Sequence, residues 1–163
     1  MKADWTSGSS GPGVVDEPQA ASYVVAMPGG APATITGVHA TTDDDLEVIG
    51  TYVWTRGRAD VSAAATSWPL DRFDRNAPGP EAMARPGAFR MSTRRASPFT
   101  DTVVTVVVKP RRPGLLRVKT LEVTYRRGLR RHHKTWTDVG PGICANARGT
   151  SEPTNGPCDE RLD

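Results

Sequence analysis

Short runs of hydrophobic residues, separated by clusters of turn-forming residues, set the pattern of this chain. Residues 21–27 carry Tyr23, Val24 and Val25, side chains that suit a pleated and half-buried surface. Pro28-Gly29-Gly30 closes that run as a turn. Residues 33–40 alternate around Ile35 and Val38, and Asp43-Asp44-Asp45 makes a polar turn. Residues 46–55 predict a strong strand in which Leu46, Val48, Tyr52 and Trp54 share one parity and Ile49 and Val53 the other, so Gly50 marks a bulge or a change of buried face. A short strand over 61–66 follows. From 67 to 100 the alternation fails, and Pro69, Pro78, Pro80, Pro86 and Pro98 leave room for only a helical turn near 80–84 and an extended piece near 88–91. A connection of that length is either functional or mobile.

The pattern resumes with Val103-Val104-Thr105-Val106-Val107-Val108, a run expected to be buried on both faces or to carry a valine-rich exterior. Pro110-Arg111-Arg112-Pro113-Gly114 turns the chain. Leu116 and Val118 then share one parity, and Leu121, Val123 and Tyr125 the other, which predicts a bulge near Lys119-Thr120. Arg126-Arg127-Gly128 reads as a turn and 129–136 as the return strand. Six or seven strands without an amphipathic helix predict an all-β fold, an antiparallel immunoglobulin-like β-sandwich with a long central loop, although the Cys…Trp…Cys spacing of antibody domains is absent. Residues 1–20 read as a flexible tether, 21–140 as the domain, and 141–163 as a loop-like tail.

Composition changes this picture mainly through charge. Ten of the 21 Lys and Arg residues lie between Lys109 and Lys134 with a single acid, Glu122, a formal +9 within a chain of net +3. Arg also outnumbers Lys throughout, as in a high-GC genome, so Arg in place of Lys does not by itself signal bidentate recognition. The candidate contact surface is Arg117, Lys119, Arg126, Arg127, Arg130, Arg131, His132 and Lys134, with Arg117 and Lys119 expected to share one outward face with Arg130, His132 and Lys134. Its expected partner is an envelope protein, an anionic surface polymer or lipid headgroups. The competing reading is a solvated edge strand whose charges oppose aggregation. Nucleic acid is disfavoured, because only Tyr125 and Trp136 stand nearby as stacking platforms. The acids from Asp43 to Glu47 lack the ligand alternation and glycine of a calcium loop, and could instead neutralise the basic hairpin, either within the molecule or between molecules.

No motif for nucleophilic catalysis or phosphate cradling occurs, so the expectation is a non-enzymatic domain without cofactors. An enzyme with its site in 67–100 is the weaker alternative. His132 and His133 point to opposite faces of a strand and make a poor metal pair. Trp54 and Trp136 read as packing residues; Trp68, before Pro69, is either a loop anchor or a ligand contact. Cys144 and Cys158 bound a polar stretch that argues against either being a core residue, and they read most simply as one disulfide, with two free thiols in a reducing compartment as the other reading. There is no 18-residue apolar run to span a membrane. The expectation is an extracytoplasmic chain whose signal or anchor was removed or lies upstream; a cytoplasmic protein whose basic hairpin contacts nucleic acid is the alternative.

The stretch Leu121-Glu122-Val123-Thr124-Tyr125-Arg126-Arg127-Gly128-Leu129-Arg130, followed by a strand and Cys144, resembles the end of small uncharacterised ectodomains of high-GC Gram-positive bacteria. The matching residues are Val123, Tyr125, Gly128 and Cys144, within about 45 residues of the chain. The resemblance implies a β-sandwich held outside the membrane by a short N-terminal helix and a linker. It implies no activity and no catalytic residues. This chain departs from the pattern in showing no such helix.

Overall fold

The computed structural model describes residues 11–25, 33–56, 65–72, 77–87, 89–91, 101–137, 139 and 142–159. Ten strands are found among them: β1 (Gly11–Val14), β2 (Gln19–Val25), β3 (Ala33–Thr42), β4 (Leu46–Arg56), β5 (Ala65–Ser67), β6 (Phe89–Met91), β7 (Asp101–Pro110), β8 (Gly114–Arg127), β9 (Arg130–Thr137) and β10 (Gly142–Asn146). They form two sheets. One has the order β4-β7-β2-β5; the other runs β1-β10-β8-β3-β6, with β9 also paired to β8. The main core lies between the sheets, where Tyr23, Val53, Val104, Val106 and Val108 meet Ile35, Leu116, Leu121, Val123 and Ile143. The chain is an all-β sandwich. The turn at Pro28-Gly29-Gly30 and residues 61–64 of the short predicted strand lie outside the described residues.

The valine run of β7 is buried on both faces, as its composition predicts. Its second face carries a smaller core of Ala20, Trp54 and Val103, covered by Leu70, Ala77 and Met83 from the proline-rich connection. That connection holds single 3-10 turns at Leu70–Arg72 and Pro80–Ala82. Trp68 is the anchor: its ring stacks on Tyr52 with centroids 5.0 Å apart, and Arg85 lies 4.5 Å above the opposite partner, Tyr52. Thr105 is fully buried here, accepting the Trp54 indole N–H at 3.0 Å and sharing a 2.9 Å hydrogen bond with Ser22. Both expected bulges occur. Ile49 is the extra residue between Val48 and Gly50, so Leu46 and Val53 both reach the main core despite their opposite parity. Lys119 is the extra residue opposite Thr41 and Thr42.

Two boundaries differ from the expected ones. Residues 11–20 are not a tether: Gly11–Val14 pairs in parallel with β10, and Gln19 opens β2. Gly13 is small because it must be. A Cβ there would stand 2.8 Å from the Ile143 methyl Cγ2, so glycine marks close packing rather than freedom. The tail is likewise not all loop, since every residue of β10 is buried. Cys144, expected outside the core, has no exposed surface. It sits on the outer face of β10, opposite Leu115, where the returning tail covers it. Asn146 ties down that cover. Its amide donates to the carbonyls of Gly13 and Thr154 at 3.0 and 2.9 Å and accepts from the Thr154 N–H at 3.3 Å. Cys144 and Cys158 are joined by a disulfide that closes the same flap.

Candidate functional site

β8 is the spine of the basic region, and its two ends meet opposite electrostatic fates. At the Gly114 end the acidic turn before β4 folds against the basic turn before β8. Arg111 bridges Asp16, at 2.8 Å, and Glu47. Arg112 pairs with Asp45, and Lys119 with Asp43 at 3.3 Å. Asp43 also accepts the Arg117 backbone N–H at 2.8 Å. The hydrogen bonds that Arg111 donates to Asp16 and then Glu47 hold its guanidinium yet more firmly protonated than usual. These are exposed pairs, worth little individually to stability. Their consequence is that the acids from Asp43 to Glu47 cancel the near end of the basic window, as the sequence allowed.

The Gly128 end is built differently. Arg127 pairs with Arg130 in register, so β8 and β9 are joined by the two-residue loop Gly128-Leu129. Gly128 has φ +56°, while Leu129 is not among the residues with positive φ, the combination of a type II′ turn with glycine first. The register sets the faces. Residues directly opposite on antiparallel strands point the same way. Arg126 and Arg131 therefore share the outer face with His133, and Arg127 and Arg130 share the inner face with His132 and Lys134. Among the described residues, Arg126, Arg130 and Arg131 make no ion pair. Glu122, an acid on the same strand as Arg126, accepts from Thr135 at the limit of hydrogen-bond distance, 3.5 Å.

This arrangement corrects the expected surface. Arg117 and Lys119 lie on the outer face of β8, whereas Arg130, His132 and Lys134 extend the inner face alongside Val123 and Tyr125. The predicted turn at 126–128 sits one residue early, and a one-residue slip reverses every side chain of the return strand. Arg117 and Lys119 are also about 30 Å along β8 from the loop, given ~3.3 Å per residue. The eight cations are thus not one patch. The inner-face members instead lie along rings: His132 stacks on Tyr125 at 5.3 Å, Arg127 lies 5.4 Å from the same ring, and Lys134 sits 4.9 Å above Trp136. β9 is an edge strand among the described residues, with only β8 as neighbour.

Two residues join the site that the sequence did not point to. Arg90, on β6, pairs with Thr34, which pairs in turn with Arg126, so one outer-face row reads Arg90, Thr34, Arg126, Arg131 across four strands. Only the long-range register reveals it. Leu129, at the apex of the loop, is 99% exposed; its signal was an apolar residue directly after Gly128, with two arginines on either side of the pair. Among the described residues no group of three or more His, Cys, Asp or Glu could hold a metal, and no helix is long and apolar enough to cross a membrane. No family model matches the chain, and neither a curated protein nor a solved structure gives a significant match.

Proposed function

We propose that this chain is a non-enzymatic binding module of the bacterial cell envelope, and that the far end of its basic hairpin takes an anionic ligand. One observation carries the reading. Arg126 faces Arg131 and Arg127 faces Arg130, two like-charge cross-strand pairs in succession, and among the described residues Arg126, Arg130 and Arg131 make no ion pair. Like charges directly opposite on a sheet work against the fold, and the same chain neutralises its other basic turn with Asp16, Asp45 and Glu47. An edge strand needs charge against aggregation, but one cation per face would meet that need. A ligand that supplies the missing negative charge accounts for the rest.

The strand order supports an immunoglobulin-like assignment: β4-β7-β2 and β3-β8-β10 follow the D-E-B and C-F-G sets of such domains. The disulfide supports an oxidising, extracytoplasmic setting, in keeping with the resemblance of the C-terminal hairpin to bacterial ectodomains. Mass spectrometry of natively purified protein under non-reducing conditions tests the compartment: two free thiols would refute it. Binding of labelled polyphosphate across a salt series tests the site. Replacing Arg126, Arg127, Arg130 and Arg131 together by Ser should weaken binding at least tenfold and reduce the salt slope by about three, whereas Arg112→Ser should change neither. Unchanged affinity and slope in the fourfold variant would exclude this hairpin as the contact.

A further inference from the structure

We infer that the hairpin tip docks on an anionic lipid surface, with Leu129 entering the acyl region while Arg126, Arg130 and Arg131 hold headgroup phosphates. The inference rests on the anion-binding reading above and names its partner. The type II′ turn explains Gly128 but not Leu129, since the second central position has no need of an apolar side chain. Yet Leu129 is 99% exposed, against 45% for Ile49, the other large exposed hydrophobic residue among those described. No heavy atom beyond its chain neighbours lies within 4 Å of the Cβ position of Gly128, so the apex stands clear of the body.

What surrounds the leucine is as specific as the leucine itself. The two residues before the loop and the two after it are all arginine, one opposed pair on each face of the hairpin. The tip is therefore graded along its own axis, apolar at the point and cationic in a collar one residue behind. That order matches the depth profile of an anionic bilayer edge, where phosphates lie above hydrocarbon. Arginine suits the collar because its planar fork meets two phosphate oxygens at once. A soluble polyanion would satisfy the collar equally well but would leave Leu129 in water, and a nucleic acid would want exposed rings for its bases. Neither element suffices alone. One apolar side chain adds little by itself, and a basic cluster gives salt-sensitive binding; together they combine hydrophobic with electrostatic attraction at an anionic interface.

The test uses the full chain, with sedimentation on vesicles of about 30% phosphatidylglycerol in phosphatidylcholine, on pure phosphatidylcholine vesicles, and with soluble polyphosphate in parallel. Wild type should bind the anionic vesicles and not the neutral ones. Leu129→Ser should lose about tenfold on anionic vesicles with polyphosphate binding unchanged. Leu129→Trp should keep vesicle binding, and its added fluorescence should be quenched by lipids brominated in the acyl chain. If Leu129→Ser binds the vesicles as wild type does, or if wild type binds polyphosphate but not the vesicles, the lipid assignment is overturned while the anion site stands. If the fourfold Arg→Ser variant keeps both activities, the underlying reading fails instead.

Discussion

Reversing one charge at the hairpin should stabilise the fold and weaken binding in the same variant. Arg131→Glu converts the opposed pair Arg126–Arg131 from repulsive to attractive without touching the core, because both side chains are exposed on the outer face. Two unit charges about 6 Å apart in water interact by about 0.7 kcal/mol. Changing the sign of that interaction therefore swings stability by about 1.4 kcal/mol at low salt. A Debye length of about 8 Å at physiological ionic strength takes away roughly half, leaving about 0.7 kcal/mol. For a chain of this size that corresponds to a rise in Tm of about 1.5–3 °C. Thermal unfolding followed by circular dichroism at low, physiological and 1 M salt would measure it, with the gain shrinking as salt rises. The parallel polyphosphate titration should show weaker binding. A Tm that falls at low salt would refute the claim that the Arg pair strains the hairpin. A gain in Tm with binding intact would show that the strain has another purpose.

Two further outcomes follow from the cores. Thr105→Val should cost about 1–3 kcal/mol by urea unfolding, because the Trp54 indole loses its acceptor in a buried site, while Thr105→Ser, which keeps the oxygen, should cost less; a neutral Thr105→Val would show the hydroxyl to be dispensable. Burial holds the Tyr23 hydroxyl protonated well above its ordinary value of 10.0, so the folded chain binds a proton that the unfolded chain releases. Stability is then fully present below about pH 10 and declines as pH rises beyond it; Tyr23→Phe should flatten that decline, and an unchanged alkaline limb would refute the assignment.

Much of the sandwich was legible because its strands obey simple local rules. The β7 valines announce burial on both faces, and the parity changes at Gly50 and Lys119 announce bulges that the register confirms. β1 was not legible. Its sequence, Gly-Pro-Gly-Val, has no strand signature, and its partner Ile143 lies at the other end of the chain. β10 escaped for a different reason: the core covers one of its faces and the disulfide-bonded tail the other, so its five buried residues show no alternation. The basic hairpin was legible as charge but not as geometry. Placing the turn at Gly128-Leu129 rather than one residue earlier decides which cations share a face, and local sequence leaves both placements open. Arg90 could not have been found, since its place beside Arg126 depends on β6 closing against β3.

The length of β8 has a kinetic consequence. Its 14 residues hold a cancelled cluster at one end and, among the described residues, Arg126 without an ion pair at the other, so the strand carries its own electric dipole along its length. Near a negatively charged surface that dipole exerts a torque before any contact forms, turning the Gly128 loop toward the surface and the Gly114 turn away. Fewer collisions are then wasted on wrong orientations, and the association rate, more than the lifetime of the complex, is where salt should act. On the proposed reading, the chain would approach its anionic surface already facing it.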